Sequence, residues 1–183
     1  MGSAASNWVV IGDGFGVLTS LLLLKKPDAR IFIINLDRTL LADLVYIRMV
    51  FPEVFNSMTR LVQSEEELVN VLESDVSDSD LPRLIAIRAR NQDLLRNVPA
   101  DVIINVASMQ EMRMADIHGY FNSMRTIAES REVLFYCCNR EEKQHPDGTL
   151  VRFADHPWHE DDEIIVNDPC PWHDRFYTLW PPG

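Results

Sequence analysis

The stretch Trp8-Val9-Val10-Ile11-Gly12-Asp13-Gly14-Phe15-Gly16 constrains this chain more than any other. Its β-branched run, Val9, Val10 and Ile11, reads as a buried parallel strand. The run breaks into glycines at every second position, and a helical pattern then occupies residues 17–24. Strand, glycine turn and helix form the first half of a βαβ unit. Gly12 can take backbone angles closed to residues with a Cβ, while Gly14 and Gly16 let a ligand and the next helix approach the turn. The N–H groups at the helix start then face whatever lies over the carboxyl end of the strand.

The rest of the chain repeats this alternation. Strands are predicted at 30–35, 84–87, 101–106 and 132–138, and helices at 39–50, 54–72, 93–97 and 114–130. Five strands separated by helices imply an α/β fold, a Rossmann-like, doubly wound, mostly parallel sheet with helices on both faces. Ligands bind such sheets beyond the carboxyl ends of the strands, near the switch in strand order. Residues 74–80 are an acidic loop that lacks the glycine and closing Glu of a calcium-binding EF-hand. Residues 139–143 read as a polar loop and Pro146-Asp147-Gly148 as a turn. Two short strands at 164–167 and 175–179 are expected to finish the sheet as an antiparallel C-terminal pair. Residues 8–183 read as a single domain, and residues 1–7 as a leader or flexible terminus.

Composition excludes several classes. The 183 residues carry a net charge of -11, with Lys and Arg scattered, so a nucleic-acid partner is disfavoured. The longest apolar run, 17–24, is far short of a membrane span, and no secretory signal is visible. Three cysteines, two of them adjacent (Cys137 and Cys138), make no disulfide framework. A cytoplasmic protein with a small-molecule substrate is the expectation; an oligomer is compatible with it.

The glycine spacing narrows the ligand. A dinucleotide fingerprint, G-x-G-x-x-G, would place a third glycine where Val17 stands. Gly12-x-Gly14-x-Gly16 is the tighter spacing found in S-adenosylmethionine-dependent methyltransferases; an NAD(P)-dependent oxidoreductase is the rival. Asp37, at the end of the second strand, occupies the place where Rossmann-like folds put an acid on a ribose, and position and motif together favour that role over a cap on the next helix. In a methyltransferase fold the loop after 84–87 lies beside the adenine, making Asn91 and Gln92 candidates for its edge.

Four stretches together resemble the putative sugar O-methyltransferases of bacteria. They are Ile11-Gly12-Asp13-Gly14-Phe15-Gly16, residues 104–112 (Ile-Asn-Val-Ala-Ser-Met-Gln-Glu-Met), residues 135–143 (Phe-Tyr-Cys-Cys-Asn-Arg-Glu-Glu-Lys), and Cys170-Pro171-Trp172-His173 with Phe176-Tyr177. The similarity runs from about residue 8 to the end. It implies a class I methyltransferase fold that uses S-adenosylmethionine, released as S-adenosylhomocysteine, to methylate a sugar or glycan-precursor hydroxyl. It places Gly12, Gly14 and Gly16 around the methionine part of the cofactor, Asp37 on the ribose, and Ala107 and Ser108 along the site. The family usually carries an acid where this chain has Val10, and Asp13 is the residue that could compensate. Members also tend to extend further at both ends, so substrate-binding parts could be missing or come from another chain. A non-catalytic cofactor-binding or scaffold relative is the alternative.

Methyl transfer to a hydroxyl needs the acceptor aligned with the methyl and its proton removed. Glu111, just past the fourth strand, is the first candidate base, although it could instead cap the next helix or pair with Arg113. His173 is the second candidate. His118, within a helix, reads as structural. Arg140 could clamp the sugar through its planar fork, or pair with Glu141 or Asp168. Trp158 and Trp172 could carry sugar rings or be buried. Cys137, Cys138, Cys170, His156, His159 and His173 are soft donors without a paired C-x-x-C knuckle. A divalent ion at Asp161, Asp162 or Asp168 has no support from spacing, and no metal ligand is assigned.

Overall fold

The computed structural model describes residues 6–73 and 82–169. In chain order the elements are β1 (Asn7–Ile11), α1 (Val17–Lys25), β2 (Arg30–Asn35), α2 (Asp37–Val50), α3 (Pro52–Met58), β3 (Thr59–Val62), α4 (Glu65–Glu73), β4 (Leu84–Arg88), β5 (Val102–Val106), α5 (Met114–Ala128), β6 (Leu134–Cys138), β7 (Glu142–Gln144) and β8 (Leu150–Arg152). A 3₁₀ segment, Ala89–Asn97, links β4 towards β5.

Six strands form one sheet in the order β3-β4-β2-β1-β5-β6. Every pairing in it is parallel. Parallel strands need crossovers that cover both faces, which explains why β2 is apolar between its terminal Arg30 and Asn35. Ile31 and Ile33 point to one face with Val10, Leu84, Ala86 and Ile104, beneath Leu22 and Leu23 of α1 and Leu40 and Ile47 of α2. Phe32 and Ile34 point to the other with Val9, Ile11, Ile85, Ile87 and Ile103, beneath α4, the 3₁₀ segment and α5. The α/β, doubly wound reading therefore holds. No helix among the described residues is long and apolar enough to cross a membrane.

Two expectations about elements are corrected. Residues 54–72 are not one helix, because α3 ends at Met58 and Thr59–Val62 pairs with β4 as a sixth, edge strand. Thr59 and Val62 are β-branched, Val62 is fully buried, and the pairing outweighs any local helical preference. Helix then restarts at a cap: Ser64 Oγ accepts from the Glu67 N–H (3.2 Å) and the Glu67 carboxylate accepts from the Gln63 N–H (2.7 Å).

The second correction concerns the antiparallel pair. It is β7 and β8, a separate two-stranded sheet, and not residues 164–167. Its turn is the Pro146-Asp147-Gly148 segment, where Gly148 has φ +88° and Asp147 Oδ1 accepts from the Thr149 N–H. That turn brings the polar residues after β6 into register, so 139–143 is only in part a loop. Residues 164–167 form no strand, and Ile164, Ile165 and Val166 are exposed. Residues 175–179, the acidic stretch 74–80, and Cys170, Trp172 and His173 lie outside the described residues.

Candidate functional site

The sheet changes direction at β1. From β1 the chain winds outward to β2, and β4 later crosses back to place β5 on the other flank of β1. Register sets Ile11 beside Ile34 of β2 and beside Asn105 of β5. The loops after β1, β2 and β5 thus emerge together, at the place where open α/β sheets hold ligands.

The three glycines of the first loop have different tasks. All have positive φ, +72° at Gly12, +89° at Gly14 and +71° at Gly16. A Cβ on Gly12 would lie 2.2 Å from Ser108 Oγ, and one on Gly16 would lie 2.7 Å from the Asp43 carbonyl. Those two glycines let β5's loop and α2 close in. A Cβ on Gly14 would meet nothing within 4 Å, so Gly14 alone borders open space.

Asp13 lies in the loop but serves the helix. Its Oδ1 accepts from the Leu18 N–H (3.0 Å) and its Oδ2 from the Thr19 N–H (2.6 Å). It caps α1, whose own N-cap position is Gly16 and supplies no side-chain bond. Both carboxylate oxygens are therefore engaged where an acid replacing Val10 would be needed. Val10 itself is a core residue. The same cap puts negative charge on the helix end that would receive a pyrophosphate.

Asp37 is the first residue of α2 rather than its cap, which is Leu36, and no side-chain cap bond is formed. Its half-exposed carboxylate lies 3.9 Å from Arg88 Nε and 3.4 Å from a terminal nitrogen of Arg90. Asn91 donates its amide to the Gln63 carbonyl (3.0 Å), and the Gln92 amide lies against Gly119 of α5. The Asn91 bond ties the 3₁₀ segment to the residue after β3, and Gln92 packs where a side chain on Gly119 would stand.

Beyond β5 a polar network takes over. Asn105 is fully buried and donates to the Ile11 carbonyl (2.8 Å) and to Ser108 Oγ (2.5 Å). Ser108 Oγ in turn donates to the Ile11 carbonyl (3.0 Å), tying the ends of β1 and β5. Asn105 Oδ1 accepts from the Met109 N–H and from Asn139 Nδ2. Ala107, between them, has φ +56°, a left-handed backbone unfavourable to a residue with a Cβ. Its N–H donates to the Cys138 carbonyl (2.7 Å). Strain of this kind persists where surrounding bonds impose it, as they do here.

The loops after β5 and β6 are bound to each other. The Gln110 N–H donates to Asn139 Oδ1, Gln110 Oε1 accepts from the Arg140 N–H, and the Gln110 carbonyl pairs with His145 Nε2 at 2.9 Å. Glu111 carries Lys143 at 3.2 Å and the Gln110 amide at 3.3 Å, not Arg113, which pairs with Asp116. Segments 104–112 and 135–143, which look unrelated in the sequence, are two sides of one structure. Asn105, Gln110, Asn139 and His145 are the participants that sequence reasoning missed. The available signal was an Asn closing the apolar run Val-Ile-Ile-Asn.

Other candidates belong to the fold. Burial pushes the Cys137 thiol up to about 12, with the bond from Asn139 opposing the rise, which disfavours the thiolate form. Trp158 packs edge-on against Phe121 at 5.0 Å. Among the described residues no cluster of three or more His, Cys, Asp or Glu side chains is placed to hold a metal. A scan of protein-family models finds no match for this sequence, and a search of curated proteins likewise finds none.

Proposed function

We propose that the chain is a cytoplasmic, S-adenosylmethionine-dependent O-methyltransferase acting on a sugar or glycan-precursor hydroxyl. The observation that carries this reading is Gly14. It is the glycine of the first loop with no packing partner, at φ +89°, over the strand switch, with an acid presented at the end of β2. A loop that keeps one glycine open between two packed ones fits a ligand laid on the backbone. Gly12, Gly14 and Gly16 would hold the methionine part, Asp37 the ribose hydroxyls, and Ala107 and Ser108 the floor beside β5.

Bound there, S-adenosylmethionine supplies a methyl already activated on a sulfonium. The chain's own task is to align an acceptor oxygen and receive its proton. Glu111, held beside Lys143 at the end of β5, is the carboxylate assigned to that proton. Arg140, at the end of β6, is assigned to the acceptor. A dinucleotide enzyme fits less well, because Asp13 already occupies the amides at the start of α1.

Calorimetric titration with S-adenosylhomocysteine, with NAD as control, tests the reading. The first should bind in the micromolar range and NAD should not. Gly14→Val and Asp37→Ala should each weaken binding by about tenfold or more, on the scale of one charge-assisted hydrogen bond. Wild-type affinity in both variants would overturn the site.

A further inference from the structure

Asp37 has a charged surrounding that the fold itself does not require. It opens α2 without capping it, since Leu36 holds the cap position and no side-chain bond closes the helix end. Two guanidiniums face its carboxylate, at 3.9 Å from Arg88 and 3.4 Å from Arg90. Register explains how they arrive: β2 and β4 run parallel with Asn35 beside Arg88, so the end of β4 is brought alongside the start of α2. The Arg88 side chain is 30% exposed and set by the sheet, whereas that of Arg90 is 59% exposed.

Stability is a poor reason for this arrangement. Exposed ion pairs contribute little to folding, and a single arginine would neutralise one carboxylate. Each carboxylate oxygen instead faces one guanidinium, Oδ1 that of Arg88 and Oδ2 that of Arg90, which biases the orientation of the acid through charge while leaving both oxygens able to accept a further hydrogen bond. Orientation before binding removes a cost that a freely turning side chain would add at the moment of binding.

We infer that Arg88 and Arg90 are positioning residues that fix the Asp37 carboxylate to accept ribose hydroxyls, Arg88 more strongly. The inference rests on the cofactor reading above and names how that site selects a ribose bearing both hydroxyls. Neither arginine needs to touch the ligand; both act through Asp37.

The test is titration with S-adenosylhomocysteine and with its 2′-deoxy and 3′-deoxy counterparts. Wild-type protein should favour the intact ribose by about tenfold over at least one of them, the size of a hydrogen bond to a charged group. Asp37→Asn should remove most of that preference. Arg88→Gln should weaken S-adenosylhomocysteine about three- to fivefold while leaving the deoxy ligand unchanged, so that the ratio shrinks. Arg90→Gln should do the same to a smaller extent, and Arg88→Lys should retain part of the ratio. A melting curve for each variant establishes that it is folded, and the exposed Arg90 supplies a second site should Arg88→Gln be unstable. An unchanged ratio in both arginine variants, or equal loss of all ligands, would overturn the inference while the cofactor reading stood. Absence of binding by the wild type would overturn both.

Discussion

Asp43 lies in α2 directly beneath the glycine turn, fully buried, with Asn35 Nδ2 donating to its Oδ2 at 2.7 Å. Burial pushes its carboxyl up to about 6 from the usual 3.8; Asn35 opposes the rise, the negative charge of Asp13 adds to it, and the Gly16 amide opposes it. A folded-state value above the unfolded one means that the native chain holds the proton more tightly. The stabilisation is complete below about pH 4 and is lost as pH rises through about 6. Above that, a buried carboxylate costs roughly 2–3 kcal/mol. Asp43→Asn preserves the shape and the bond from Asn35 without the charge. Urea midpoints should therefore show the variant more stable than wild type by about 2 kcal/mol at pH 8, the gap closing towards pH 4.5. Buried His156, held below its usual value by burial, gives the opposite slope, and the difference between variant and wild type removes it from the comparison. A gap that did not change with pH would mean that Asp43 stays protonated throughout.

At the level of elements, residues 153–162 are fastened to α5 and β6 by an aromatic cluster. Trp158 sits edge-on to Phe121 at 5.0 Å and against Phe153 at 5.1 Å, and its Nε1 donates to the Phe153 carbonyl at 2.9 Å. Arg125 of α5 clamps Asp162 through both terminal nitrogens, and the same carboxylate caps the His159 N–H. Trp158→Ala removes a large ring that is still partly exposed, so a loss of about 2 kcal/mol is expected. Hydrogen exchange should rise across 153–162 and stay unchanged in β1 and β2; a uniform rise would mean that the segment and the sheet unfold as one unit. Elements such as this were only partly legible. The apolar runs of β1, β2, β4 and β5 announce themselves, because a strand buried on both faces cannot be polar, and the edge strand β6 shows as the run Leu-Phe-Tyr-Cys-Cys. Thr59–Val62 does not, since four residues next to a helix acquire strand character only from β4 beside them. Trp158 read as a sugar platform or, as is commoner for a Trp, as a buried ring, and nothing local reveals Phe121 as its neighbour.

Across the whole molecule, the site depends on strand order more than on any one loop. The glycines and Asp37 could be read from spacing because each follows its own strand. The Asn105 bonds could not, since Ile11 lies 94 residues away and Asn139 lies 34 away. Only the order β2-β1-β5-β6 makes them neighbours. That order also predicts which segments a ligand will quiet. A ligand resting on Gly14 and reaching Asp37 touches the ends of β1, β2 and β5 together, and it binds the folded chain alone. Saturation at a hundred times the dissociation constant should stabilise the fold by about 2.7 kcal/mol. Under S-adenosylhomocysteine, amide exchange should slow at 12–19, 36–40 and 105–112, while 59–73 and β8 keep their rates. The 139–145 loop should slow with 105–112, because Gln110 bonds to Asn139, Arg140 and His145. NAD should leave the pattern unchanged. Protection confined to 139–152 would instead place the ligand on the β7–β8 hairpin and remove the glycine loop from the site.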